Sequence, residues 1–260
     1  MSSGYLLPNR DELAGQRLMV LGDLFDPISK KRLIERGLGK GWRCWEIGAG
    51  GPSLVTWMAE IVGPSGSVLA TDIDLSGLSS ELGRVELRQH DVSTDPPPEG
   101  PFDLIHARLV FVHLTERDGL IARLTELLAP EGWLVIEDAD PELQSRASLE
   151  QDASAALADK VRRAFRSLLA GRSVDLAFGR TLPRRLTAAG LNDVGADAWF
   201  PVVDDRCQML ERLTVTLLRT QLEDGGLLSG AEIDEHLANI ETDRVQLIQP
   251  PLIGAWGRRL

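Results

Sequence analysis

Apolar and polar positions along the first half of the chain alternate between two periods. Short apolar runs at 43–47, 67–71, 85–89, 102–106 and 133–138 are separated by longer stretches whose apolar residues recur every three or four positions. The runs predict strands buried on both faces, and the stretches between them predict helices. One helix covers 54–62. Another carries Leu120, Ile121, Leu124, Leu127 and Leu128 on one face, opened by a capping box at Thr115 and Asp118 and stopped by Ala129-Pro130-Glu131-Gly132. Strands alternating with helices predict an α/β fold, a doubly wound and mostly parallel sheet.

The second half is richer in helix. Leu157, Val161, Phe165, Leu168 and Leu169 predict a helix over 149–169. Pro183 near a start and Gly190 just past an end frame a helix over 182–189, followed by a strand at 194–200. Helices over 207–222 and from the capping box Ser229 and Glu232, with Ile233, Leu237 and Ile240 on one face, precede a last strand at 252–256. The two late strands bring the sheet to seven. The helical stretch before Gly41 is expected to fold over the loops as a lid. The division is therefore a lid over 1–40, a sheet core over 41–141, and helical cap elements with the last strands over 142–260, all in one domain.

Composition narrows the function. With 260 residues, 43% hydrophobic and 26% charged, the chain has the make-up of a globular protein. A net charge of -11 disfavours partners held through phosphates, so nucleic acid is not expected. Arg162, Arg163, Arg166 and Arg172 fall close together, which reads as a solvated helix face. Cys44 and Cys207 lack metal or disulfide spacing, and no leader or long apolar run is visible. A cytoplasmic protein without metal or membrane partner is the expectation, and a homodimer is compatible with it.

The chemistry gathers where strands end. Trp45-Glu46-Ile47-Gly48-Ala49-Gly50-Gly51-Pro52-Ser53 is a glycine-rich turn between a strand and a helix, suited to close approach of a ligand to backbone. A dinucleotide fingerprint would want a third glycine at Ser53. Glu46 would repel a pyrophosphate but suits a cationic, phosphate-free ligand such as S-adenosylmethionine, or else it caps backbone amides. Asp72 ends the second strand, where a carboxylate can accept both ribose hydroxyls, and Asp74 reads as a helix N-cap. Asp91 and the amide of Val92 follow the third strand, placed to bracket an adenine edge or to cap a loop.

These motifs resemble class I S-adenosylmethionine-dependent methyltransferases, especially those of actinobacterial small-molecule pathways, closely over about residues 43–140 and loosely beyond. The resemblance implies a Rossmann-like fold in which Glu46, Gly48, Ala49 and Gly50 cradle the methionine part, Asp72 and Ile73 the ribose, and Asp91 and Val92 the adenine. Phe102-Asp103-Leu104-Ile105-His106-Ala107-Arg108, then His113-Leu114, resembles the fourth strand and its loop, with His106 and Ala107 beside the cofactor sulfur. Pro52 departs from the family, which often has glycine there, but proline is tolerated in a first helical turn.

The acceptor site is less marked. His113 titrates near neutrality and reads either as a general base or as a structural cap. Arg108, and Tyr5 and Arg17 in the lid, could meet a carboxylate. Glu137, Asp138 and Asp140 could hold a divalent metal, though acidic strand ends commonly just meet water. Phe111 is expected near the pocket. The reading is an O-, N- or C-methyltransferase of a small molecule, probed against a cofactor-retaining cyclase, a non-catalytic binding subunit and a nicotinamide dehydrogenase.

Overall fold

In a computed structural model, residues 12–78, 82–144, 146–148, 151–172, 174–202 and 204–260 are described. The strands are β1 (Arg43–Ile47), β2 (Ser67–Asp72), β3 (Val85–Gln89), β4 (Phe102–Arg108), β5 (Leu128–Ala139), β6 (Asn192–Trp199) and β7 (Leu252–Arg258), and the helices are α1 (Glu12–Glu35), α2 (Pro52–Val62), α3 (Arg117–Glu126), α4 (Ala153–Ala170), α5 (Phe178–Ala188), α6 (Asp205–Asp224) and α7 (Gly230–Glu241). They build one seven-stranded sheet in the order β3-β2-β1-β4-β5-β7-β6. All neighbours are parallel except β7, which runs antiparallel to β5 and β6. The order reverses at β1, so the loops after β1 and β4 diverge there and leave a crevice at their carboxyl ends.

Side chains alternate across the sheet because successive strand residues point to opposite faces. Cys44, Val68, Ala70, Leu104 and Val135 pack with Leu54, Val55, Met58 and Val62 of α2. Trp45, Leu69, Ile105, Leu134 and Ile136 pack on the other face with Ile121 and Leu124 of α3 and Phe178 and Leu182 of α5. A third apolar cluster joins Leu24 and Phe25 of α1 to Cys207 and Leu210 of α6.

Several expected boundaries move. The Thr115–Asp118 capping box does not form: Glu116 is the N-cap without a side-chain bond, and Asp118 instead pairs with Arg185 at 2.5 Å. Leu128 and the following Ala129–Gly132 segment belong to β5, paired at Leu128 with Phe102. Pro183 lies inside α5, which begins at Phe178, four residues before the expected start at 182. The capping box at Ser229 and Glu232 is present with both of its bonds.

Candidate functional site

The glycine turn after β1 is shaped by its own backbone. The amides of Gly48 and Ala49 donate to the Thr71 carbonyl at 2.8 and 3.1 Å, tying the turn to the end of β2. Gly48 has φ +68°, and a Cβ there would lie 2.3 Å from Val110 Cγ2, so only glycine fits. Asp72 draws the same turn inward: its carboxylate accepts from the Gly50 amide at 3.1 Å and the Asp74 amide at 3.0 Å. Burial pushes the Asp72 carboxyl upward, and these backbone donors oppose the shift. Asp74 closes a local turn through Ser76 at 3.0 Å rather than capping a described helix.

A cavity of about 430 Å³ opens at this crevice, a size common for small-molecule sites. Glu46, Gly48, Ala49, Gly50, Asp72, Ile73, Asp91, Val92 and His113 all line it, as does Arg108. Asp91 spends one oxygen on the Ser93 amide at 2.8 Å, so the loop-capping role is realised at a residue that also faces the cavity. Leu18, Leu21 and Gly22 of α1 contribute to the wall, as do Leu109, Val110 and Arg172, none of which sequence singled out as wall residues. Leu109 carried one signal only the backbone reveals, a φ of +58°, unusual for a residue with a side chain.

His106 and Ala107 are wholly buried and stand behind the wall. Parallel register sets His106 beside Glu46, and the imidazole Nδ1 lies 2.6 Å from the Glu46 carboxylate. Its Nε2 is 3.6 Å from Glu137, an ion-pair separation too long for a hydrogen bond. Burial pulls the imidazole pKa down, but the two flanking carboxylates, Glu46 foremost, outweigh it and raise it to about 9. Glu137 in turn meets Arg32 at 3.0 Å and Ser29, and it is held at about 2: burial opposes this, and the charges of His106, Arg32 and Arg108 prevail. Arg32 continues to Asp197 at 2.8 Å, passing over Gly254, where a Cβ would fall 2.4 Å from the guanidinium carbon.

The remaining candidates fall into place. His113 ends a short 3-10 turn, Phe111–His113, whose carbonyls accept from Arg117 at 2.8 and 2.9 Å and whose Val112 amide donates to Asp138 at 3.1 Å. Burial, with Arg17 and Arg117 nearby, lowers the His113 pKa to about 4, so the imidazole is neutral at neutral pH. Arg17 donates to Thr214 at 3.0 Å, and Arg108 to Asp26 and Ser29 at 2.9 Å each. Phe111 is a core residue, stacked on Phe178 at 6.3 Å. Arg162 is buried against Glu211 at 2.5 Å rather than forming part of a solvated face. Asp140 binds Arg180 at 2.7 Å, so the three acids at the end of β5 and just past it engage different partners, and no group of metal-ligating residues occurs among the described residues. Tyr5 lies outside the described residues.

Comparison with known proteins gives this geometry a context. A family model described as a methyltransferase domain matches residues 9–195. Methyltransferase str2 of Strobilurus tenacellus is 31% identical over 133 residues, 50% of this chain and 47% of that protein. The ubiquinone/menaquinone biosynthesis C-methyltransferase UbiE of Saccharophagus degradans is 32% identical over 119 residues, 42% of this chain and 48% of that protein. The chain thus spans about half the length of these curated relatives. These relatives are fungal and proteobacterial, so a specifically actinobacterial likeness is not supported. Among solved structures, Haemonchus contortus phosphoethanolamine N-methyltransferase 2 with S-adenosylhomocysteine superposes at a TM-score of 0.59 and 14% identity, covering 100% of this chain and 60% of that one, a likeness of fold.

Proposed function

Because the chain belongs to the methyltransferase-domain family, in its class I, S-adenosylmethionine-dependent form, we propose that it methylates an O, N or C atom of a small-molecule acceptor, as a step of secondary metabolism. The observation that carries this reading is the contiguous wall of one cavity formed by Glu46, the Gly48–Gly50 turn, Asp72 and Asp91. Three carboxylates and a bare backbone turn suit a cationic nucleoside and would repel a pyrophosphate.

The residues fit that cofactor. Glu46 and residues 48–50 would hold the methionine part, Asp72 and Ile73 the ribose, and Asp91 and Val92 the adenine, while His106 and Ala107 act from behind. When bound, S-adenosylmethionine supplies a methyl group activated by a positive sulfur. The protein's own work is to align and enclose: Leu18, Leu21, Val110 and Leu114 offer an apolar surface that excludes water from the acceptor. His113, neutral and on the wall, can direct or accept the acceptor's proton, and its depressed basicity matches acidic acceptors.

The test is to incubate the protein with S-adenosylmethionine carrying a labelled methyl group and a low-molecular-mass metabolite extract. Label in a new small molecule, with S-adenosylhomocysteine released, supports the proposal. Cofactor binding without any such transfer contradicts it.

A further inference from the structure

Resting on the methyltransferase reading, we propose that the acceptor is an oxygen acid on an apolar body, taken as its oxyanion (a carboxylate, phenolate or enolate) at the end of the cavity lined by Arg108, His113 and Arg172. The cavity is electrically polarised. Its acidic residues, Glu46, Asp72 and Asp91, stand at the carboxyl ends of β1, β2 and β3, whereas its two arginines stand at the end of β4 and just past α4. A chain of net charge -11 has thus placed two guanidinium groups on the wall of one cavity.

The two arginines differ in how they are held. Arg108 is fixed by Asp26 and Ser29, with 14% of its side chain exposed, so it is a positioned and partly compensated charge. Arg172 is exposed and lines the cavity; its amide closes the end of α4 onto the Leu169 carbonyl at 3.0 Å, and its guanidinium makes no hydrogen bond or ion pair among the described residues. It is the cation left for an incoming anion. Arg17 and Arg117 add to the positive field at His113.

This field selects among acceptors. An ammonium group would be repelled, and a neutral alcohol would need a stronger base than His113. A carboxylic acid, or a phenol or enol acidic enough to ionise below neutral pH, loses its proton to water before binding and needs no base. Its oxyanion then forms the new C–O bond to the methyl carbon while the C–S bond breaks, the electron pair returns to sulfur, and the sulfonium becomes a neutral thioether. Charge is cancelled on both partners, and the neutral methyl product has lost its attraction for Arg172, which favours release.

The experiment uses three probes of matched shape, phenylacetate, 2-phenylethanol and 2-phenylethylamine, titrated into the protein saturated with S-adenosylhomocysteine. One charge-assisted contact predicts that phenylacetate binds about tenfold more tightly than either of the others. Arg172→Gln should erase that preference, Arg172→Lys should retain part of it, and both variants should bind S-adenosylhomocysteine as the parent does. A carboxylate that binds no better than the alcohol, or that shows no binding at all, overturns the proposal, as does a preference unchanged in Arg172→Gln. Failure of S-adenosylhomocysteine itself to bind would instead remove the cofactor reading beneath it.

Discussion

Two carboxyl groups one residue apart on β5 face opposite sides of the sheet. Glu137 points to the face shared with Val135, where β4 presents His106 and α1 presents Ser29 and Arg32, and it stays ionised with a pKa of about 2. Asp138 points to the α3 and α5 face beneath the Phe111–His113 turn, where it accepts the Val112 amide and leaves its second oxygen without a partner. Burial pushes it to about 8, outweighing the backbone donors and the charge of Arg117, which bonds the turn's carbonyls rather than this carboxyl, so it is protonated at neutral pH. Both side chains are fully buried. Burial alone therefore does not decide charge in this protein; the partner on the same face does.

The difference reaches the cavity from both sides. The Glu137 face forms a polar row from Glu46 through His106 and Arg32 to Asp197, which holds Glu46 in place at the cavity wall and ties α1 to the sheet. The Asp138 face holds the turn that carries His113.

The largest expected effect comes from Glu137→Ala, which leaves His106 and Arg32 buried without their shared anion and should cost about 3–5 kcal/mol in urea unfolding. A loss no greater than for an average surface substitution would break the comparison. Next, His106→Gln removes the cation between two buried carboxylates and should cost about 1–3 kcal/mol by the same measurement.

The pH dependence sharpens the contrast. His106 is raised from 6.5 to about 9, so its stabilisation is complete below 6.5 and is lost as pH rises through about 9. Asp138 is raised from 3.8 to about 8, so the folded state holds a proton the unfolded state gives up, and stability falls as pH climbs from 3.8 to about 8. Both act in the same direction, and the urea midpoint should be lower at alkaline than at mildly acidic pH. The smallest effect belongs to Asp138→Asn: within about 1 kcal/mol of the parent at mildly acidic pH, where the parent carboxyl is already neutral, and relatively more stable as pH rises. Equal stability differences at both pH values would show that Asp138 ionises normally.

Much of this architecture was legible in the sequence, for a physical reason. Parallel strands buried on both faces read as apolar runs, the edge strand β3 with its exposed Glu86, Arg88 and Gln89 being the exception, and Gly48, Asp72 and Asp91 stand at strand ends, where local spacing reveals them. The polar row was not legible, because Glu46, His106, Glu137, Arg32 and Asp197 are assembled by register and topology across five strands. His106 was marked by the family resemblance alone, and its place in the row against Glu46 follows from strand parity and register, which the sequence does not display. Helix starts misled where side chains had tertiary partners, as Asp118 does in Arg185.

The most direct test of the account is calorimetric titration of the parent protein and Asp72→Ala with S-adenosylmethionine, S-adenosylhomocysteine and NAD. Binding of both sulfur nucleosides and not NAD, weakened about ten- to a hundredfold by the substitution, is the predicted result. No binding of either sulfur nucleoside, or equal binding by Asp72→Ala, would contradict it.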